Sequence, residues 1–306
     1  MTNPILQRLG FSDNDRVVVL HADDIGMNHA SVMAYADLLA HSPLSSAATM
    51  VPCPWFPAAA QLFREQAAHS KIDVGVHLTL TSEWDASRWR PISTSDRASG
   101  LFDEEGYFYR DTPPVQAEAT LEAVSAELRA QIDQAQTANI DITHIDSHMG
   151  TLLHPRFLQL YMELGFAYGV PAFAVRMSVE QLLARGIEQP LAEQIAAYLQ
   201  QVEARGMPLF TSSHMMPLHE KFKVAERLEH AKRVLNSAEA GLHYFLIHPC
   251  IDTPALRYLA PDWEARVGDY NLFMSDEWQK AIDASGVKVV GMKALRDVMQ
   301  NQPVSN

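Results

Sequence analysis

The strongest constraint on the fold of this chain is its alternation of short β-branched segments with longer amphipathic ones. Parallel strands need crossover connections about as long as a helix, so this alternation predicts mostly parallel pairing. The predicted fold class is α/β, a (β/α) barrel or a close variant of it, with a doubly wound open sheet as the alternative. The eight predicted strands cover residues 16–21, 47–51, 73–80, 140–146, 172–175, 208–211, 242–247 and 287–290.

Nothing in the sequence divides the chain. No linker, low-complexity run or fixed-period repeat interrupts the alternation, so we expect one domain over residues 1–306. The clearest helix is predicted over residues 115–139, where apolar residues recur every three or four positions. Two segments, at about 81–114 and 248–269, are predicted as long loops. Long loops in a compact domain are usually functional or disordered.

Charge and cysteine content exclude several classes of protein. The formal net charge is −13 and no long basic run is present, which argues against a nucleic-acid partner or an anionic membrane surface. The two cysteines, Cys53 and Cys250, are too few and too far apart for a disulfide framework or a cysteine-rich zinc site. No signal peptide or membrane span is evident, so a cytoplasmic location is expected. A homo-oligomer is compatible with all of these features.

Titratable residues collect where the predicted strands end. In a (β/α) barrel the carboxyl ends of the strands form the rim that carries the chemistry. We therefore expect these side chains to lie on one rim. They are His21, Asp23, Asp24, His77, His144, Asp146, His148, Arg176, His214 and His248.

Two adjacent carboxylates follow the first strand in the segment HADDIGMN. Asp23 and Asp24 repel each other when both are ionised and close together, unless a cation lies nearby. One of them can bind a metal ion while the other acts as a base. The alternative is that Asp23 or Asp24 caps the helix that begins near Asn28.

Histidines on two later strands extend this pattern. His77, in GVHLTL, taken alone is more often a hydrogen-bonded core residue than a metal ligand. In THIDSHMG, His144, Asp146 and His148 lie at a spacing of two, which on a strand places them on the same side, and a hydrated strand edge is the alternative. Two imidazoles and one carboxylate leave room for water, as in hydrolytic metal sites. His144 is the alternative ligand if the strand bends differently.

A proton donor for a leaving group is the remaining requirement of such a site. His248, in FLIHPC, follows the seventh predicted strand on the same rim. Pro249 restricts His248 to extended backbone geometry, which fits the end of a strand. A core histidine is the alternative at this position.

The segments HADDIGMN, GVHLTL, HIDSH and IHPC, taken together and in this order, resemble the YdjC-like carbohydrate deacetylase family. The resemblance extends from Val17 to the closing VKVVGMKAL segment. The family is related in fold to the NodB-type polysaccharide deacetylases. It therefore implies a single-domain distorted (β/α) barrel of about seven to eight mostly parallel strands.

The resemblance also implies roles for individual residues. Asp24, His77 and His148 correspond to the ligands of one divalent metal ion, zinc or magnesium, and this donor set fits zinc better. Asp23 corresponds to the catalytic base and His248 to the catalytic acid. Three further residues are expected at the site, with Arg176 steadying the base and with Trp84 and His214 contacting the substrate.

The implied activity is metal-dependent removal of an acetyl group from an N-acetylated amino sugar or oligosaccharide. One departure concerns HIDSHMG, because many relatives carry further histidines where Met149 and Gly150 stand here. This difference leaves the ligand set in place and changes the lining of the substrate pocket. The alternatives are another metal-dependent hydrolase on the same barrel, an amidohydrolase or a phosphoesterase, and a non-catalytic sugar-binding protein.

Overall fold

The computed structural model describes residues 3–67, 72–219 and 223–301. The domain predicted over residues 1–306 also includes positions that lie outside these described ranges. Within them, seven strands form one sheet in which every pairing is parallel. The strands are β1 (Arg16–Ile25), β2 (Ser46–Thr49), β3 (Val74–Leu78), β4 (Ile142–Ser147), β5 (Ser212–Met215), β6 (Gly241–Ile247) and β7 (Lys288–Val289).

Helices surround this sheet and connect most of its strands. Thirteen α-helices lie in the described part of the chain: α1 (Pro4–Arg8), α2 (His29–His41), α3 (Phe56–Gln66), α4 (Thr112–Glu118), α5 (Leu121–Thr137), α6 (Pro155–Tyr168), α7 (Val179–Leu183), α8 (Gln189–Ala204), α9 (Val224–Ser237), α10 (Pro254–Leu259), α11 (Trp263–Phe273), α12 (Asp276–Ser285) and α13 (Met292–Gln300). Short 3₁₀ segments cover Arg97–Ser99 and His148–Leu153. None of the helices described is both long and apolar enough to cross a bilayer.

The sheet has the order β4–β3–β2–β1–β6–β5, with β7 beside the start of β1. It curves as a barrel but stays open between β4 and β5. The segment that faces this opening makes only isolated bridges, Ile145 with Ala172 on one side and Val175 with Phe210 on the other. The predicted α/β barrel-like class is therefore confirmed, in a distorted form that lacks one regular strand.

Four predicted elements differ from the structure. Residues 172–175 form bridges rather than a strand, and the strand predicted at 208–211 lies instead at Ser212–Met215. The helix predicted over 115–139 is divided into α4 and α5, because Thr120 is extended and its side chain accepts a hydrogen bond from the Ala123 main chain. The loop predicted at 248–269 contains α10 and the first part of α11.

The barrel interior changes from apolar to polar along its axis. Alternation on β1 points Val17 and Val19 inward, where they pack with Leu242 and Tyr244 of β6 and with Phe173 in an apolar cluster. On β1 the next inward positions are His21 and Asp23, whereas on β6 the apolar Leu246 precedes His248. The larger core lies on the other face, between the sheet and the helices. The lower interior thus packs as a core, and the buried titratable groups that follow His21 along β1 lie above it.

Candidate metal centre

The end of β1 brings two adjacent aspartates into the barrel. Inward alternation continues from Val19 through His21 to Asp23, and Asp24 then adopts a left-handed conformation with φ of 64°. A positive φ is uncommon in residues other than glycine, is better tolerated by Asp and Asn than by most, and is concentrated at functional sites. The following helix, α2, is capped by Asn28, whose side chain accepts a hydrogen bond from the Ser31 main chain. Neither aspartate is therefore the helix cap.

One side-chain atom from each of Asp24, His77 and His148 converges on a common point. Oδ1 of Asp24 lies 3.4 Å from Nε2 of His77 and 3.2 Å from Nδ1 of His148, and the two nitrogens lie 3.3 Å apart. Ligand atoms about 2.0–2.2 Å from a tetrahedrally coordinated ion are about 3.3–3.6 Å from one another. The three atoms thus have the spacing of one face of such a tetrahedron. The donor set, two imidazoles and a carboxylate, also suits a divalent ion with an open fourth position.

Each of these three side chains is held through its other polar atom. Nδ1 of His77 lies 2.7 Å from Oδ1 of Asp146, and Nε2 of His148 lies 3.0 Å from Oε2 of Glu83. Arg266 donates to Oδ2 of Asp24 over 2.7 Å. Such partners fix the tautomer and orientation of metal-binding imidazoles. Oδ1 of Asp24, Nε2 of His77 and Nδ1 of His148 therefore take no part in these supporting contacts, and they face one another.

Buried charges perturb the titration of all three residues. Burial acts to lower the pKa of His148, but the Glu83 and Asp24 carboxylates outweigh it and raise that pKa to about 9. Burial likewise opposes the carboxylates around His77, and its pKa is still raised well above the ordinary value. Burial would raise the pKa of Asp24, but Arg266 and the two histidines hold it well below its usual range. Asp24 is thus kept ionised, as a ligand must be.

In the described part of the chain, two other groups of buried residues come close enough to share an ion: His21, His144 and Asp146, and Asp23, His77 and Asp146. Their closest contacts are shorter, with Asp146 2.7 Å from His77 and 3.1 Å from His21. The 2.7 Å contact is a hydrogen bond between imidazole and carboxylate, which occupies an oxygen of Asp146. The equal spacing of the Asp24 group and its filled outer contacts favour it as the ion site among the described residues.

Asp23 lies next to this group without joining it. Its Oδ1 is 2.9 Å from Nε2 of His21, and its Oδ2 is 3.8 Å from Nε2 of His248. Burial acts to lower the pKa of His21, but Asp146 and Asp23 raise it to about 9. His21 therefore contacts Oδ1 of Asp23 from the interior of the barrel, and Oδ2 faces the cavity beside His248.

His248 reaches this position because β6 pairs in parallel with β1, as the sequence predicts. Ile247 lies opposite Ala22, so His248 follows at the level of Asp23. The main-chain N–H of His248 donates to Oδ2 of Asp269 over 2.9 Å. The fully buried Arg227 pairs with Oδ1 of the same carboxylate. The end of β6 is thus anchored to α11 and α9.

His144, the alternative ligand, lies deeper in the barrel, below the Asp24 group. It is fully buried, and burial together with the charge of His21 lowers its pKa to about 3. Its ring packs edge-on against that of His21. A Cβ on Gly75 would lie 2.6 Å from the His144 ring, so a glycine in β3 is what leaves room for it. His144 therefore stays neutral and supports the site from beneath.

A cavity of about 620 Å³ opens above these groups. Trp84 lines it and is almost fully buried, with the Arg266 guanidinium 5.2 Å from the centre of its ring. Apolar side chains border the cavity on the side of the sheet opening: Met149, Leu153, Phe173, Met215 and Leu218. The floor is thus charged and one wall is apolar.

Two residues expected at the site lie elsewhere. Arg176 pairs with Glu203 of α8 at 2.6 Å and lines a neighbouring cavity of about 510 Å³. His214 is paired in register with Phe245 on the outer face of β5, and its Nε2 lies 3.0 Å from Oγ of Ser212. The adjacent residue Met215 takes the inward position. Neither Arg176 nor His214 is therefore among the residues that line the cavity above the ion group.

Sequence reasoning missed two residues that hold the site together. Glu83 lies in the long segment after β3, and Arg266 lies on a helix where a loop was expected. Glu83 follows GVHLTL by only a few residues, and that closeness was the signal available. For Arg266, the spacing to Asp262 predicts an ion pair on one helix face, which the structure contains at 2.9 Å.

Comparison with known proteins finds relatives over most of the chain. Residues 17–284 match the model of the family described as YdjC-like protein. A carbohydrate deacetylase of Thermus thermophilus is 34% identical over 266 residues, which cover 87% of this chain and 89% of that protein. A carbohydrate deacetylase of Brevibacillus brevis is 31% identical over 154 residues, covering 50% of this chain and 57% of the relative.

A solved structure has the same overall fold. The crystal structure of an Enterococcus faecalis protein, described as a cellobiose-phosphate cleavage protein, superposes with a TM-score of 0.74. The match covers 92% of this chain and 99% of that one, at 22% sequence identity. At this sequence identity the likeness shows a shared fold and nothing more.

Proposed function

Because this chain belongs to the YdjC-like family, we propose that it is a carbohydrate deacetylase that depends on one divalent metal ion. The reaction is hydrolysis of the acetamide of an N-acetylated amino sugar or oligosaccharide, with release of acetate and a free amine. The observation that carries the proposal is the convergence of Asp24, His77 and His148, each held through its other polar atom. The names of the relatives supply the substrate class.

Asp24, His77 and His148 would hold the ion. Two imidazoles with one carboxylate suit zinc or another transition ion better than magnesium, which prefers oxygen ligands. A divalent ion supplies Lewis acidity, which makes water a stronger acid and an amide carbonyl a better electrophile. Arg266 keeps Asp24 ionised, and Asp146 and Glu83 orient the two imidazoles.

In this proposal Asp23 acts as the general base. Its Oδ2 faces the cavity and accepts the proton of the attacking water, while His21 occupies Oδ1 from below. His248 lies on the other side of Oδ2 and donates a proton to the departing nitrogen as the C–N bond breaks. Each proton moves between groups that line the same cavity.

The cavity sets the size and character of the substrate. A volume of about 620 Å³ is within the range of small-molecule sites and holds a short sugar rather than a long polymer in its entirety. Trp84 is fixed beneath Arg266 and offers an aromatic surface beside the ion group. The rest of an oligosaccharide would extend along the apolar wall formed by Met149, Leu153 and Met215.

The test is acetate release from N-acetylglucosamine, chitooligosaccharides and acetylated glycolipids, with metal content measured on the same samples. We expect release by the metal-loaded protein, loss after chelation, and recovery when zinc or another transition ion is restored. The His148→Ala variant serves as the inactive control. Full activity in metal-free protein would contradict the metal dependence, and sugar binding without acetate release would indicate a non-catalytic binding protein.

A further inference from the structure

The base Asp23 needs a partner that the sequence did not identify. The arginine expected to steady it, Arg176, pairs with Glu203 at another cavity. The group that contacts Asp23 from beneath is His21, whose side chain is fully buried and lies outside the cavity lining. His21 lies outside the proposed ligand set and outside the surface that substrate can reach.

The position of His21 is fixed from several directions. Its Nε2 lies between two carboxylates, 2.9 Å from Oδ1 of Asp23 and 3.1 Å from Oδ2 of Asp146. The Tyr244 ring packs against the imidazole with 4.8 Å between centroids, and the His144 ring meets it edge-on at 5.1 Å. An imidazole packed in this way has little freedom to turn, so the direction of its Nε2–H is set by the barrel.

The two carboxylates that meet at His21 belong to different parts of the site. Asp23 is the proposed base, whereas Oδ1 of Asp146 holds the ion ligand His77 at 2.7 Å. Tyr244 also donates to Oδ2 of Asp146, over 3.4 Å. One buried imidazole therefore couples the orientation of the base to the support of the ion site.

We propose that His21 is the positioning residue for the base, holding Oδ1 of Asp23 so that Oδ2 faces the attacking water and His248. This inference rests on the proposed function and adds to it a residue that never touches substrate. It requires only an N–H at Nε2, which the neutral Nε2–H tautomer and the protonated ring both present. In this chain a histidine on β1 does what was expected of Arg176.

Two substitutions at this position separate the polar contact between Nε2 and Asp23 from the bulk of the ring. Glutamine can place an amide N–H near the position of imidazole Nε2, whereas leucine fills similar space without a donor. We expect His21→Leu to lower kcat by about 10²-fold, the cost of a misplaced catalytic group. KM should stay within about twofold and the metal content unchanged, because neither substrate nor ion contacts His21. His21→Gln should recover most of the lost kcat.

A double-mutant cycle tests whether His21 acts through Asp23. In an Asp23→Asn background, His21→Leu should cause little further loss of kcat, since groups that act as a unit are not additive. Equal losses in both backgrounds would overturn the inference, as would a kcat for His21→Leu within about threefold of wild type. Loss of metal in His21→Leu would also overturn it, by making His21 a ligand.

The test stays decisive in two adverse cases. If leucine prevents folding, methionine, which is similarly apolar and adapts to irregular space, replaces it in the same comparison. If the wild-type protein releases no acetate from any acetylated sugar, the proposed function fails, and crystal structures of the wild type and His21→Leu decide the positioning. A rotated Asp23 carboxylate in the variant supports the inference, and an unchanged one overturns it.

Discussion

The two sides of the barrel differ in how they use the ends of their strands. From β4 to β1 the sheet is continuous, and the strand ends place Asp23, Asp24, His77 and His148 around one point. Beyond β4 the sheet opens, and Arg176, which follows the segment facing this opening, turns away from the cavity. The polar residues at the ends of regular strands thus meet at one point, whereas the one that follows the irregular segment lines another cavity.

The same contrast holds for the two arginines. Arg266 and Asp24 form a pair whose side chains are 3% and 2% exposed, and Arg176 and Glu203 form one whose side chains are 22% and 21% exposed. Breaking a buried pair leaves an uncompensated charge, whereas pairs nearer the surface contribute little. Substitutions on the two sides should therefore differ in size as well as in kind.

The largest effect is expected at Asp24. Asparagine tolerates the positive φ and can still accept from Arg266, so Asp24→Asn should fold while losing the anionic ligand. We expect loss of bound metal, and with it a fall in acetate release of at least about 10³-fold. Metal analysis and acetate assays on the same preparation measure this. Asp24→Ala adds backbone strain and serves as the comparison, and a metal-loaded, active Asp24→Asn would remove Asp24 from the ligand set.

The next effect in size is expected at Asp23. Asp23→Asn removes the proton acceptor next to the ion group, so turnover should fall by about 10²–10⁴-fold. Metal content should remain that of the wild type, because Asp23 lies outside the proposed ligand set. Steady-state kinetics with metal analysis distinguishes the two effects. A variant that loses metal together with activity would show that the roles of the two aspartates are reversed.

His248 and His214 provide a direct comparison between the two faces of the sheet. Both follow or lie within strands, but His248 lines the cavity and His214 faces outward on β5. We expect His248→Gln to lower kcat by about 10²-fold without loss of metal, because it removes the proton donor for the leaving amine. His214→Gln should leave kcat within about twofold of wild type. A comparable loss of kcat in both variants would mean that the face of the sheet does not decide which histidine takes part in the reaction.

Glu83 should have a smaller effect that is specific to the ion. Glu83→Gln weakens the contact that orients His148, and loss of such partners typically lowers metal affinity by about 10–100-fold. Competition with a chelator measures the affinity, and activity should return at saturating metal. An affinity equal to that of the wild type would mean that Glu83 does not orient a ligand.

Much of this arrangement can be predicted from the sequence. Short strands alternating with helices predict the parallel sheet, and the spacing of His144, Asp146 and His148 predicts a shared face, with the histidine at its end reaching the ion group. The parallel pairing that brings His248 beside Asp23 also follows from the predicted fold. These predictions depend on local patterns and on the geometry of a continuous sheet, which the sequence encodes strongly.

The features that sequence analysis missed depend on register and on distant contacts. The strand predicted at 208–211 lies instead at Ser212–Met215, and Phe210 makes only a bridge. The pairing of this strand with β6 places Met215 rather than His214 toward the cavity, because successive side chains on a strand point to opposite faces. Arg266 reaches Asp24 across 242 positions of sequence. No local pattern specifies such a contact, because it depends on how α11 packs over the rim.

The smallest effect is expected at Arg176, where the two sides of the barrel can be compared most sharply. Arg176→Met keeps the length of the side chain and removes its charge from a partly exposed pair with Glu203. Because such a pair contributes little, the free energy of unfolding should fall by no more than about 1 kcal/mol. Acetate release should stay within about twofold of wild type, since Arg176 lines a different cavity from the one that Asp23 and the ion group line. Denaturant unfolding and steady-state kinetics measure both quantities, with Glu203→Gln as the matched control. A large loss of kcat in Arg176→Met, absent from Glu203→Gln, would mean that Arg176 turns toward the base when substrate binds, and that the open side of the sheet belongs to the active site after all.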